Sequence, residues 1–71
     1  MEKIIKFVEI HIKWAEQDPK NAHINYNQAF GAVQFFLIDH SDEYREYAPL
    51  ETKWNEVYKP KFEQIIYGEV L

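Results

Sequence analysis

The sequence predicts a small all-α protein: a three-helix bundle formed by a single domain over residues 1–71. Three observations favour this class. Apolar residues recur at spacings of three and four along most of the chain, which is the period of a helix face. Only two glycines occur, and proline or glycine stands at several expected helix boundaries. The short connections favour an antiparallel αα-hairpin with a third helix packed across it.

The first helix is predicted over residues 2–17. One apolar face is formed by Ile5, Val8, Ile12 and Ala15, and it is widened by Ile4 and Phe7. Residues 10–14 alternate between apolar and polar types, which is also the pattern of a half-buried strand. We favour the helix because the chain offers no second strand with which this segment could pair.

The second helix is predicted to run from Asp18 and Pro19 to about Asp39. Aspartate is a favoured N-cap, and a proline directly after the cap has no amide proton to lose. Asn21 is the alternative cap. The apolar stripe comprises Ala22, Tyr26, Ala29, Val33, Phe36 and His40, extended by Phe30 and Leu37. Gly31 costs about 1 kcal/mol in mid-helix relative to alanine, and we expect it to let another helix approach closely.

The third helix is predicted to begin at Pro49, after a polar connector over residues 40–48 that leaves open a short extra helical turn at 41–47. Pro60 removes one backbone hydrogen bond and its ring clashes with the carbonyl of Glu56, so a kink is expected there. Gly68 is the expected stop. The apolar stripe comprises Leu50, Trp54, Val57, Tyr58, Phe62, Ile65 and Ile66.

Composition and charge exclude several classes of protein. The chain has no cysteine, so disulfides and thiolate metal sites are excluded, and a domain this small must rely on dense packing or self-association. The net charge of −4 falls in residues 37–71, because residues 1–36 carry four lysines and four acids. An acidic surface disfavours direct nucleic-acid binding. The longest apolar run, residues 35–38, is too short for a membrane span, and the N-terminus does not resemble a signal peptide, so we expect a cytoplasmic protein with no membrane partner.

Catalytic and metal chemistry have little support in the sequence. The three histidines are never three or four residues apart, and the best local set is Asp39, His40 and Glu43, where a helix-terminal role for His40 is the simpler interpretation. Ser41 beside His40 occupies the position of a cap, and the two glycines form no phosphate-binding loop. We therefore expect no enzyme activity, no catalytic residue, no cofactor and no metal.

The twelve aromatic residues carry the functional prediction. Phe7, Phe30, Phe36, Trp54 and Phe62 fall on apolar faces and are expected in the core. The remaining rings exceed what so small a fold can bury, so we expect a non-enzymatic interaction module that forms homodimers. The predicted contact residues are Trp14, Phe35, Tyr44, Tyr47 and Tyr58. In the alternative, residues 39–56 dock on a basic surface of another protein through Glu43, Glu46 and Glu51.

Overall fold

The computed structural model describes residues 1–68, which form helices and turns with no strand among them. Helix α1 is Glu2–Gln17 and helix α2 is Ala22–Asp39, and a 3-10 turn at Pro19–Asn21 joins them. The two helices pack side by side as the predicted hairpin. The predicted single domain extends to residue 71, so its last three residues lie outside the described part of the chain.

A third helix packs against this hairpin and completes the bundle. It consists of α3 (Tyr44–Lys53), a π-helical turn (Trp54–Tyr58) and α4 (Lys59–Tyr67), which follow one another without a break. Gly68 ends it with a positive φ of 68°, a conformation that glycine adopts without strain. The predicted class, an all-α three-helix bundle, is confirmed.

The boundary between α1 and α2 falls at the alternative position. Asp18 leaves helical geometry, with φ −139° and ψ 75°, and Pro19 follows it into the 3-10 turn. The second helix therefore starts after Asn21, whose side-chain amide donates to a carboxylate oxygen of Asp18 at 2.7 Å. This hydrogen bond ties the two candidate capping residues to each other across the turn.

The third helix begins earlier than the sequence predicted. A 3-10 turn at Ser41–Glu43 occupies part of the expected extra turn, and α3 starts at Tyr44, with Pro49 inside it. An internal proline costs about 3 kcal/mol. Burial offsets this cost, because Leu50 is 1% exposed and the Tyr47 ring packs edge-on against Phe36 at 5.0 Å between centroids.

The irregularity predicted near Pro60 takes the form of the π-helical turn. The backbone N–H of Lys59 donates to the carbonyl of Trp54, five residues earlier, which widens the turn and relieves the clash between the Pro60 ring and the chain before it. The widening also changes which side chains are buried. Val57 was predicted on the buried stripe, and this was wrong: it is 42% exposed.

The buried residues of the third helix are spaced regularly by four, rather than alternately by three and four. Residues spaced by four drift about 40° per step around a regular α-helix, and a wider turn corrects this drift. The buried residues of this helix are Leu50, Trp54, Tyr58 and Phe62. They pack on Val8, Ile12 and Ala15 of α1 and on Ala22, Ala29 and Val33 of α2.

An aromatic cluster connects α2 to the third helix. The Trp54 ring lies 5.6 Å from Phe30, 5.7 Å from Tyr26 and 6.0 Å from Phe62, measured between centroids. Tyr26 and Phe62 meet edge-on at 5.6 Å. Offset and edge-to-face pairs of this kind each contribute roughly 0.5–1.5 kcal/mol beyond the area they bury.

Gly31 does not serve the packing of the bundle, so its predicted role inside the chain was wrong. It is exposed, and apart from its chain neighbours and the adjacent backbone of its own helix, an added Cβ would meet no atom of the described residues within 4 Å. The neighbouring helices approach α2 at Ala22, Ala29 and Val33 on its opposite side.

Replacing Gly31 with alanine is expected to raise the free energy of unfolding by about 0.5–1 kcal/mol, because alanine loses less backbone entropy and fits the open site. Urea denaturation in dilute solution, followed by circular dichroism, measures the change. Ala32→Gly, on the same helix, is the matched control and should lower stability. A loss of stability in Gly31→Ala would contradict the open environment of this residue.

Candidate protein-interaction surfaces

The outer side of α1 carries large apolar side chains beside its buried stripe. Phe7, Ile10 and Trp14 are spaced by three and four residues and therefore share a helix face. Their exposed fractions are 39%, 45% and 51%. Phe7 was expected in the core and this was wrong, because the core face of α1 is filled by Val8 and Ile12.

His11 fixes the two rings of this face. Its imidazole is 5% exposed and lies between Phe7 and Trp14, at centroid distances of 4.2 Å and 5.1 Å. Nδ1 donates to the carbonyl of Phe7 at 2.8 Å, since a carbonyl oxygen can only accept. Nε2 pairs with the side-chain amide of Gln28 at 3.0 Å. The imidazole therefore contacts both rings of α1 and, through its hydrogen bond to Gln28, links them to α2.

The outer side of α2 continues this apolar surface. Ile24, Phe35 and Ile38 are 46%, 71% and 73% exposed, and with Gly31 they recur at spacings of seven, four and three. A groove of about 500 Å³ runs between the two helices, with Phe7 on one wall and Phe35 on the other. The six exposed apolar residues are named the hairpin face: Phe7, Ile10, Trp14, Ile24, Phe35 and Ile38.

The second surface lies at the start of the third helix. Tyr44 is 54% exposed, and its hydroxyl donates to Glu51 at 3.2 Å. Tyr47 is half-buried and stands edge-on to the His40 ring at 4.8 Å. These two tyrosines and the exposed side chains of Glu43, Glu46 and Glu51 are named the acidic surface.

The remaining predicted contact residue is buried. Tyr58 is 3% exposed, because its ring joins the core and Lys53 Nζ covers it at 5.4 Å from the centroid. Its hydroxyl donates to Glu9 at 3.3 Å, which joins the third helix to α1. With so little surface to offer, Tyr58 is removed from the set of contact residues.

Nearby charge and burial raise the pKa of three tyrosines above the ordinary value of 10.0. For Tyr44 the main cause is the negative charge of Glu51, which also accepts its hydrogen bond. For Tyr47 and Tyr58 the main cause is desolvation of the phenol; acids add to it in both, and Lys53 opposes it at Tyr58. The neutral phenol is favoured in each case.

Stability is expected to fall as the pH rises above 10.0, because the folded protein retains tyrosine protons that the unfolded chain has already lost. The contribution is complete below pH 10.0 and disappears as the pH passes through the raised folded-state pKa values. Urea denaturation at a series of pH values measures it. Tyr58→Phe should show a shallower decline than the unmodified protein, and an equally steep decline would contradict the contribution of Tyr58.

The histidine region at the end of α2 does not resemble a metal site. His40 Nδ1 donates to the carbonyl of Phe36 at 2.9 Å, and Asp39 lies 3.9 Å from the same nitrogen. Within residues 1–68, no group of three or more histidines and acids has the geometry to hold a metal ion. The contacts of His40 are those of a side chain that satisfies a helix C-terminus.

Comparisons with known proteins found no similar protein. No protein-family model, no curated protein and no solved structure matches the chain. Among residues 1–68, no helix has the length and apolar character that crossing a bilayer requires.

Sequence reasoning found part of the hairpin face. Trp14 and Phe35 were predicted as contact residues because they lie off the main stripes of their helices. The three isoleucines were missed, although Ile24 and Ile38 stand at heptad distance on either side of Gly31. A search for a second apolar stripe on α2 could have found them.

Proposed function

We propose that this protein is a small, cytoplasmic, non-enzymatic interaction module that forms homodimers through the hairpin face. One observation carries the proposal: six large apolar side chains, 39–73% exposed, lie on the outer faces of α1 and α2, and two of them, Phe7 and Phe35, line one groove between these helices. Exposed apolar patches of several hundred Å² on a small domain mark interaction sites. Burial of this face would contribute about 25 cal/mol per Å² of apolar area.

The area of the face suits an interface of ordinary size. The exposed fractions of Phe7, Trp14 and Phe35 are 39%, 51% and 71%, which corresponds to on the order of 300 Å² of ring surface. A standard interface takes about 800 Å² from each partner, with an apolar centre and a polar rim. The three rings therefore supply much of the apolar centre, and the isoleucines extend it.

The distribution of charge favours a second copy as the partner. Residues 1–36, which hold α1 and most of α2, have no net charge, while residues 37–71 carry the entire −4. Pairing through the hairpin brings two neutral surfaces together. Pairing through the third helix would oppose two acidic surfaces, which costs electrostatic energy.

Sedimentation equilibrium of the unmodified chain in the micromolar range tests the proposal. The expected result is a mass approaching twice 8.6 kDa that falls on dilution. The dissociation constant should change little with salt, because an apolar interface is not screened. A mass of 8.6 kDa at every concentration would overturn the proposal.

The acidic surface supports a second candidate function, in which the protein regulates or inhibits a basic protein by docking on it. The observation that favours this candidate is the exposure of Glu43, Glu46 and Glu51 beside the exposed ring of Tyr44. A ring among carboxylates offers a basic partner both apolar contact and charge.

Titration with a lysine-rich peptide tests this second candidate. Binding should weaken steeply with ionic strength, and the triple variant Glu43→Lys, Glu46→Lys, Glu51→Lys should lose it. The matched control reverses three acids elsewhere: Glu2→Lys, Glu16→Lys and Glu63→Lys. If both triple variants lose peptide binding to the same extent, the binding depends on net charge alone, and a specific docking surface is excluded.

A further inference from the structure

The exposed stripe of α2 is symmetric about Gly31. Ile24 lies seven residues before this glycine and Ile38 seven residues after it. Positions seven apart drift only about 20° around a helix, so all three share one face. The two isoleucines are 46% and 73% exposed. The space over Gly31 is open, because apart from its chain neighbours and the adjacent backbone of α2, no atom of the described residues lies within 4 Å of an added Cβ.

We infer that α2 packs antiparallel against α2 of a second copy, with the two-fold axis at Gly31; this inference rests on the proposed homodimer. A two-fold axis at this position places each residue before Gly31 opposite the residue equally far after it. Ile24 of one copy therefore meets Ile38 of the other, twice. The absence of a Cβ at Gly31 lets the two backbones approach closely at the crossing point.

Charge selects the antiparallel orientation. A parallel pair would bring together two acidic C-terminal ends of α2, where Asp39, Asp42 and Glu43 cluster. The antiparallel pair separates these ends. Antiparallel packing also opposes the two helix dipoles favourably.

The same arrangement brings the exposed rings together. Phe35 lies about 6 Å beyond Gly31 along α2, on the side that faces α1. The contact between His11 and Gln28 sets the hairpin register and places Trp14 about 9 Å from Gly31 in the other direction. The two-fold axis carries Trp14 of the second copy to the level of Phe35. The two most exposed rings of the face thus cover each other.

Disulfide cross-linking between single-cysteine variants tests this inference, and the chain has no cysteine of its own. Ile24→Cys and Ile38→Cys are mixed, with one isotopically labelled so that mixed and homotypic dimers differ in mass. Identical cysteines would lie about 21 Å apart in the antiparallel dimer, far beyond the roughly 7 Å that a disulfide spans. The mixed disulfide should therefore exceed either homotypic one at least about tenfold.

Two further variants complete the experiment. Gly31→Cys should cross-link with its counterpart in the second copy, because the two-fold axis passes between the two copies of this residue. Glu63→Cys, an exposed position on α4 of the third helix, is the control and should stay unlinked under the same conditions. Circular dichroism of each variant before oxidation verifies the fold.

The outcomes separate this inference from the proposed homodimer. Homotypic disulfides in the Ile24→Cys and Ile38→Cys variants would show parallel helices and overturn the antiparallel arrangement. A dimer in sedimentation with no cross-link at any of the α2 positions would place the interface elsewhere and overturn the inference alone. A monomer in sedimentation overturns both.

Discussion

Replacing Phe62 with alanine is expected to lower the free energy of unfolding by about 3–5 kcal/mol. The ring is 0% exposed, and its neighbours Tyr26 and Trp54 lie 5.6 Å and 6.0 Å away between centroids. Removing it leaves a cavity where α2 meets the third helix, and rigid aromatic neighbours fill such a space poorly. The free energy of unfolding of a 71-residue domain is roughly 4–11 kcal/mol in total. A large fraction of the variant should therefore be unfolded.

Urea denaturation followed by circular dichroism measures the loss, and Tyr67→Ala provides a matched control. Tyr67 is an aromatic residue of the same helix, α4, but it is 68% exposed. Its removal should change stability by no more than about 0.5 kcal/mol. If Phe62→Ala and Tyr67→Ala unfold at the same urea concentration, the central position of Phe62 in the core is wrong.

Replacing Phe35 with alanine is expected to weaken the homodimer about 1,000-fold. A central ring of an interface contributes about 2 kcal/mol to the free energy of binding. In a two-fold dimer one substitution removes this ring from both copies, so the contribution is lost twice. About 4 kcal/mol corresponds to a thousandfold rise in the dissociation constant. The monomer should keep its stability, because Phe35 is 71% exposed and contributes little to the core. Trp14→Ala, at the other ring of the same predicted contact, should act in the same direction.

Sedimentation equilibrium measures the dissociation constant of each variant, and Tyr67→Ala again provides the control. Tyr67 matches Phe35 in ring size and exposure, at 68% against 71%, but belongs to the third helix. The control should dimerise like the unmodified chain. A dimer that survives Phe35→Ala and dissociates in Tyr67→Ala would move the interface from the hairpin face to the third helix.

Local sequence signals located most of the helices. The spacing of Val8, Ile12 and Ala15 predicted the buried stripe of α1, and all three are buried. Pro19 marked the break between α1 and α2, and Gly68 marked a helix end, because proline and glycine impose local backbone geometry. These features depend on near neighbours along the chain, which a sequence displays directly.

The third helix was harder to predict because local signals and packing disagree there. Pro49 indicated a helix start, yet α3 begins at Tyr44, since burial of Leu50 and the contact between Tyr47 and Phe36 offset the cost of the proline. At the π-helical turn, Val57 was expected on the buried stripe but is exposed, and Tyr58 was expected as a contact residue but is buried. A regular helical period, applied to the sequence, cannot anticipate a turn of different width.

The hairpin face was also predicted only in part from the sequence. The sequence indicated an excess of rings, and it singled out Trp14 and Phe35 correctly as exposed side chains. It did not reveal the exposure of Phe7, nor the open space over Gly31. Both depend on which helices cover α1 and α2, and on which side they lie.

The sequence alone therefore determined the helical class, most helix boundaries and the separation of a neutral hairpin from an acidic C-terminal half. Only the tertiary structure decided which apolar faces are covered and which remain open. The physical reason is that periodicity assigns residues to a face of their own helix, whereas burial of that face depends on contacts with residues distant in the chain. In α2, apolar residues lie on two sides, and the bundle covers one of them.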